Sequence, residues 1–297
     1  MMSWTPPTVA ELKTLLAEAG ARPNRGRGQN FLVDSRVMEF VARAAALSSN
    51  DVVLEPGPGT GGLTGLLAET AGAVVAVEVD KKLHAIAAQC LESVDNVALL
   101  HADIMGKGDA ISSEALSALT QAMNSVPDAR FKMVANLPYR VSTALIAAVL
   151  FGGIIPREIV VTVQREVGDR ICAQPGSKDY GYLSVIVQAL AETKRLKILS
   201  PRAFWPQPEV ESVILRITPD LARRKSVGDL DALKRITGAL FRHRRKQVGR
   251  ALMMANLAPD RATAESLLSR IGADPHARPE NLTVAQFIAL ATALNSD

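Results

Sequence analysis

Cysteine is almost absent from this 297-residue chain: Cys90 and Cys172 are the whole complement, with no Cys-x-x-Cys and no histidine cluster beside either. That excludes a disulfide scaffold and a cysteine-rich zinc site, and it fits a reducing cytoplasm. Long apolar runs are missing too. The longest, Leu145 to Ile155, is interrupted by two glycines and falls well short of the roughly 18 residues of a membrane span. The N-terminus lacks the pattern of a signal peptide. Thr8 and Glu11 are spaced instead as a helix capping box, followed by apolar residues at helical intervals. Neither a fixed-period repeat nor a low-complexity tract occurs. Charge of one sign is scarce as well. With 34 basic and 30 acidic side chains the net charge is +4, which alone is weak evidence for a polyanionic partner. What remains is a globular composition, 48% apolar and 22% charged, long enough for one large domain or two modest ones. A monomer without a metal is expected.

Short β-branched runs alternate with helical patterns through most of the chain, which reads as α/β with a parallel sheet. Strands are expected at Val52–Glu55, Ala73–Val79, Val97–His101, Phe131–Asn136, Glu158–Gln164, Lys194–Leu199 and Val210–Ile217. Helices are expected near Gly61–Glu69, Lys81–Leu91, Glu114–Asn124, Ser142–Leu150 and Leu183–Ala191. The Pro-rich Ser200–Pro208 leaves no room for a crossover helix, so the last two strands can pair antiparallel. Thr218–Asp229, with Pro219, Gly228 and Arg223-Arg224-Lys225, reads as a linker. Beyond it only helical periodicity is seen, with a second capping box at Thr283/Gln286. The expected division is residues 1–218, whose first 34 form a helix and a cofactor-lid segment, and a helical domain over 229–297.

Val53-Leu54-Glu55-Pro56-Gly57-Pro58-Gly59-Thr60-Gly61 runs from a strand through a glycine-rich turn into a helix. Such turns let backbone approach a ligand at a helix N-terminus, although the same pattern also describes a tight turn with no ligand. Glu78 ends the second strand about 20 residues later, where an acid accepts from ribose hydroxyls. Asp103 ends the third, where it could accept from an adenine amino group. Three such features at successive strand ends favour a nucleotide-type cofactor over helix capping. The glycine spacing is not the GxGxxG of nicotinamide enzymes, and no basic cluster is offered to a pyrophosphate. S-adenosylmethionine, cationic and without phosphate, suits Glu55, Glu78 and Asp103 better.

Asn136-Leu137-Pro138-Tyr139 follows the fourth strand. These parts suit methylation of an exocyclic amine: the Asn136 side-chain oxygen and the Pro138 carbonyl can accept both N–H bonds of an adenine amine, and Tyr139 can stack on the base. An ordinary Asn-Pro turn with a surface tyrosine would read the same way. Phe204, in Phe204-Trp205-Pro206-Gln207-Pro208, is a candidate second stacking face, although an aromatic beside prolines is more often core.

Together these segments closely resemble the ribosomal RNA adenine N6-dimethyltransferase family. The likeness also runs through Gly28-Gln29-Asn30-Phe31-Leu32, Gln164–Val167, Pro175–Gly181, Val210, Ser212, Arg244-Arg245-Lys246 and Arg278–Leu282. It implies a class I, Rossmann-like methyltransferase sheet with an antiparallel last strand plus a small all-helical C-terminal domain. It further implies S-adenosylmethionine contacts at Asn30, Leu32, Gly57, Gly59, Glu78, Asp103 and Asn136, and an adenine sandwiched by Tyr139 and Phe204. The implied substrate is two adjacent adenosines near the 3′ end of small-subunit rRNA, in a partly assembled small ribosomal subunit. The stretch Gly106–Arg130 looks longer than is typical.

Arg242, Arg244, Arg245, Lys246 and Arg250 form the densest basic run. Read as one helix, Arg242, Lys246 and Arg250 share a face. An isolated run of this kind is usually a solvated surface, but its position and the resemblance favour RNA phosphate contacts. Arg22, Arg25 and Arg27 could add to the same field. An adenine methyltransferase acting on large-subunit rRNA or DNA, and a non-catalytic ribosome-assembly factor of the same fold, are the rival readings.

Overall fold

The computed structural model describes residues 4–24 and 28–295, so Arg25 and Arg27 lie outside the described residues. The chain divides into two units, Met1–Gly168 with Lys194–Thr218 and Asp169–Thr193 with Pro219–Asp297. In the first unit the expected capping box starts helix α1 (Val9–Glu18): Thr8 Oγ1 accepts from the Glu11 N–H, and the Glu11 carboxylate accepts from the Thr8 N–H at 2.8 Å. There follow β1 (Phe31–Leu32), α2 (Ser35–Ala44), β2 (Asp51–Pro56), α3 (Gly62–Ala68), β3 (Ala73–Glu78) and α4 (Lys81–Cys90). Next come β4 (Val97–His101), α5 (Ser113–Ser125), β5 (Arg130–Asn136), α6 (Ser142–Phe151) and β6 (Glu158–Gln164). Helices α7 (Arg165–Ile171) and α8 (Tyr182–Gln188) precede β7 (Ala191–Leu199), β8 (Phe204–Trp205) and β9 (Ser212–Pro219).

Strands this rich in valine and isoleucine must be covered on both faces, which a parallel sheet flanked by helices achieves. The sheet runs β4-β3-β2-β5-β6-β9-β7. Neighbours from β4 to β6 are parallel, and β9 lies antiparallel to β6 with Leu215 opposite Val161. The expected α/β sheet with its antiparallel last strand is therefore present, and β9 is inserted between β6 and β7. All six residues of β2 are buried, and Val37, Met38 and Val41 of α2 pack with Leu63 and Leu67 of α3 in one apolar cluster. At the amino edge of the sheet, fully buried Asp51 meets Arg130 Nε at 3.2 Å and Lys132 Nζ at 3.4 Å. Lys132 also donates to the carbonyls of Ala45 and Ala46, so one buried cation ties the end of α2 to the sheet.

The second unit gathers α8 with α9 (Leu221–Val227), α10 (Leu230–Arg242), α11 (Val248–Met254), α12 (Arg261–Arg270) and α13 (Val284–Asn295). Its core carries a row of rings. Tyr180 meets Phe241 edge-on at 6.3 Å, and Phe241 stacks on Phe287 at 5.5 Å. Two sequence expectations are corrected here. The stretch read as a linker contains α9, because Asp220 caps it by accepting from Ala222 and Arg223, and the Arg223 guanidinium donates back to the carbonyls of Gln188 and Ala191. The basic run is not one helix either. Helix α10 ends at Arg242, a turn follows, and α11 begins only at Val248, whose N–H is taken by Ala277. Arg242, Lys246 and Arg250 thus form an exposed cluster around a turn, not a helical stripe.

Candidate active site

The carboxyl ends of β2, β3, β4 and β5 open into a crevice of about 320 Å³, the place where parallel α/β sheets bind ligands. Its floor is the turn after β2. Gly57 and Gly59 have φ of +70° and +62°, which glycine adopts without strain. A Cβ on Gly57 would sit 3.0 Å from the Pro138 ring, and one on Gly59 would sit 3.1 Å from the Phe31 ring. At these two positions a side chain would be crowded, and their bare backbone borders the crevice.

Two acids face this turn. Glu78 Oε2 accepts from the Gly59 N–H at 3.1 Å and Oε1 from the Asp80 N–H at 2.9 Å. Burial raises its pKa, and these backbone bonds oppose the rise. Glu55 is deeper, only 2% exposed. Burial pushes its carboxyl up to about 8, the nearby Thr64 hydroxyl eases this, and the charge of Glu78 adds to it. Glu55 Oε2 and the Thr64 hydroxyl are nonetheless left without hydrogen-bond partners of ordinary geometry. A buried carboxyl with an unsatisfied oxygen is a receptor for a cation.

The remaining expected residues fall around the same space. Asn30, Leu32, Asp103, Asn136 and Pro138 all line it. Asp103 accepts from the Met105 N–H at 2.9 Å, which sets its carboxylate at the end of β4. Asn136 Nδ2 donates to the Asn30 carbonyl at 3.1 Å, so the amide oxygen is turned the other way. That Oδ1 is buried and has no partner among the described residues. The Pro138 carbonyl accepts one bond, from the Val141 N–H at 3.2 Å, and keeps its second lone pair. Tyr139 is not among the lining residues; its hydroxyl bonds Ser212 Oγ at 2.6 Å, which holds the ring against β9. Phe204 is placed differently from these. It is 1% exposed and packs inside the apolar cluster with Val134 and Ile214, so it presents no open face here.

Sequence reasoning passed over part of the wall. Pro7 and Leu12 bring the N-terminal segment to the crevice, while Phe31, Val79 and Leu83 line it with apolar surface. Val79, directly after the strand-end acid and 45% exposed, presents apolar surface to the crevice. Trp4 holds the segment down, donating from Nε1 to the Gly62 carbonyl at 3.0 Å and lying against Gly65, where a Cβ would come within 2.0 Å of its ring.

A family model described as ribosomal RNA adenine dimethylase matches residues 21–296. This chain belongs to that family. It is 37% identical over 283 residues to the ribosomal RNA small subunit methyltransferase A of Moorella thermoacetica, covering 94% of this chain and 95% of that one. The protein of the same name from Phenylobacterium zucineum is 37% identical over 286 residues, covering 96% and 93%. Among solved structures, a dimethyladenosine transferase from Plasmodium falciparum matches with a TM-score of 0.72 at 20% identity, over 90% of this chain and 98% of that one. The 23S rRNA methyltransferase ErmE gives 0.61 at 24% identity, over 90% and 100%. At these identities the structures speak for the fold alone.

As a ribosomal RNA adenine dimethylase the chain is an S-adenosylmethionine-dependent enzyme, as its residues implied. The crevice fits that donor. It offers a turn bare of side chains at Gly57 and Gly59, two buried carboxyls for cationic groups, and apolar walls.

Proposed function

We propose that this enzyme transfers two methyl groups to N6 of each of two adjacent adenosines near the 3′ end of small-subunit rRNA, within a partly assembled small ribosomal subunit. The small-subunit target is supported by the name shared by its relatives. The chemistry is supported by one observation above all, the buried and unpartnered Oδ1 of Asn136 beside the crevice. An adenine amine is a poor nucleophile because its lone pair is delocalised into the ring. Asn136 Oδ1 accepts one of its N–H bonds and the Pro138 carbonyl the other. Both draw the nitrogen out of plane and stabilise the positive charge that develops on it, and being held in place beforehand they need no reorganisation. S-adenosylmethionine, when bound, supplies an electrophilic methyl on a sulfonium. The methylated nitrogen then loses its proton to water, because an N-alkylated adenine ammonium is strongly acidic, so no dedicated base is required.

Asn30, Leu32, Gly57, Gly59, Glu78 and Asp103 hold the donor in this reading, and Tyr139 stacks on the target base. Phe204 joins it from the other side only once its ring leaves the apolar cluster of Val134 and Ile214. Arg242, Arg244, Arg245, Lys246 and Arg250 contact rRNA phosphates. The enzyme acts as a cytoplasmic monomer. No helix among the described residues is long and apolar enough to cross a membrane.

The test is incubation of the enzyme and labelled donor with small subunits lacking the modification, followed by nucleoside mass spectrometry. The expected product is N6,N6-dimethyladenosine in small-subunit rRNA. Label confined to large-subunit rRNA, or monomethyladenine on duplex DNA, would refute the substrate. Absence of donor affinity by calorimetry would make the protein a non-catalytic assembly factor.

A further inference from the structure

Outside the crevice, the first unit has an open groove of about 420 Å³ between the end of α1, the residues after it, and β8. Among the described residues no carboxylate lines it. Lys13, Arg22 and Trp205 supply its charge and its one ring, and the other lining residues are leucine, alanine, glycine and proline. Lys82 donates to the carbonyl of Gly20, a lining residue just beyond α1. Lys13 and Arg22 are exposed and form no ion pair with any described residue. The Lys13 ammonium instead lies over the Trp205 indole, 5.5 Å from its centroid.

The groove and the donor crevice share a wall. Strands β1 and β8 pair antiparallel, with Phe31 opposite Trp205 and Leu32 opposite Phe204. The Phe31 and Trp205 rings stack at 6.5 Å and 19°. Phe31 faces the crevice and Trp205 the groove. A half-exposed indole flanked by two cations without ion-pair partners among the described residues, in a trough without acids, has the makings of a nucleotide seat: a π-face for any base and positive charge for its phosphate.

Taking rRNA as the substrate, we propose that this groove seats a nucleotide of the RNA strand next to the target adenosine. Its base stacks on Trp205 in the place the Lys13 ammonium now occupies. Lys13 and Arg22 then hold the adjoining phosphate. The groove thereby positions the strand by stacking and charge, without reading its sequence.

The test uses a Trp4→Phe background, in which Trp205 is the one remaining tryptophan, titrated with single-stranded hexa-adenylate. Quenching of the Trp205 fluorescence is expected, weakening as salt is raised. Lys13→Ala with Arg22→Ala should shift the midpoint by about tenfold. With undermethylated small subunits, Trp205→Ala should raise KM by about tenfold while kcat and donor affinity hold, and Trp205→Phe should recover most of the loss. Absence of quenching at low salt, or an unchanged midpoint and KM in the Lys13/Arg22 double variant, overturns the proposal. A loss of donor affinity in Trp205→Ala overturns it as well, since Trp205 would then only prop Phe31. Quenching by a wild-type-like enzyme that methylates no small subunits refutes the proposed substrate and leaves the groove as a single-strand seat.

Discussion

At the level of single residues, the proposed chemistry rests on polar atoms that the fold buries and does not satisfy. Asn136 is fixed through its amide nitrogen, so its free oxygen is held in place before substrate arrives. Asn136→Ala should leave donor binding measurable by calorimetry and lower the rate of methyl transfer by about 10²–10³-fold, the usual effect of losing one preorganised dipole. Turnover near the wild-type rate would remove Asn136 from the mechanism. Glu55 behaves differently. With its carboxyl raised to about 8, the folded protein holds a proton there that the unfolded chain releases near 4.5. Stability from this group is therefore complete below about pH 4.5 and declines as pH rises toward 8. Thermal unfolding of Glu55→Gln should lack that decline, so the variant gains on the wild type as pH increases. Occupation of the crevice by a cationic donor should draw Glu55 into its charged form. Calorimetry near neutral pH should then show proton release with the wild type and less with Glu55→Gln. These residue types and strand ends could be read from the chain. The unsatisfied oxygens could not, because they depend on which partners the fold withholds.

Among the elements, the regular ones were the most legible. Strand β6 falls where its β-branched run puts it, and the Thr8/Glu11 box starts α1. Helix α2 lies outside the expected helices although Val37, Met38 and Val41 recur at helical spacing, because only these three of its ten residues are buried. The β1–β8 pair is only two residues per strand, too short for any periodicity, and its partners are far apart in sequence. Such pairings come from tertiary packing. The docking of Trp4 across α3 belongs to the same class, and it can be tested. Alanine at Gly65 improves helix propensity by about 1 kcal/mol but would collide with the Trp4 ring. Gly65→Ala should weaken donor affinity about tenfold with little change in the thermal midpoint. An unchanged affinity would show that the N-terminal segment is not part of the binding wall.

Over the whole molecule, the sequence marks a change of texture near residue 218, where strand patterns stop. It gives no sign that 169–193 pack with the C-terminal helices, because that stretch looks like any strand-to-strand connection. What ties it there are interactions remote in sequence, such as Gly176 N–H to the Glu280 carbonyl at 2.7 Å and Tyr180 against Phe241. Two family-like segments, Pro175–Gly181 and Arg278–Leu282, thus meet in one unit. Charge follows the same logic. The basic residues crowd around the turn after α10, and Arg244 Nη2 donates to the Lys178 carbonyl at 3.4 Å. Replacing Arg245 and Lys246 with alanine should weaken binding to rRNA uniformly. It should also lower the slope of log affinity against log salt by about 0.7–0.9 for each phosphate no longer neutralised. Filter binding across a salt series would show it, and an unchanged slope would place the RNA elsewhere.

The insertion of β9 between β6 and β7 has a bearing on how the chain is made. While it emerges from the ribosome, β6 has β5 on one side and nothing on the other until residues past 212 are available. Nascent chains that stall or are cut before that point expose a row of unpaired amides beside the apolar side chains of Ile159, Val160, Val161 and Val163, a template for aggregation. Assembly of the catalytic layer thus waits on a stretch that supplies none of the crevice lining.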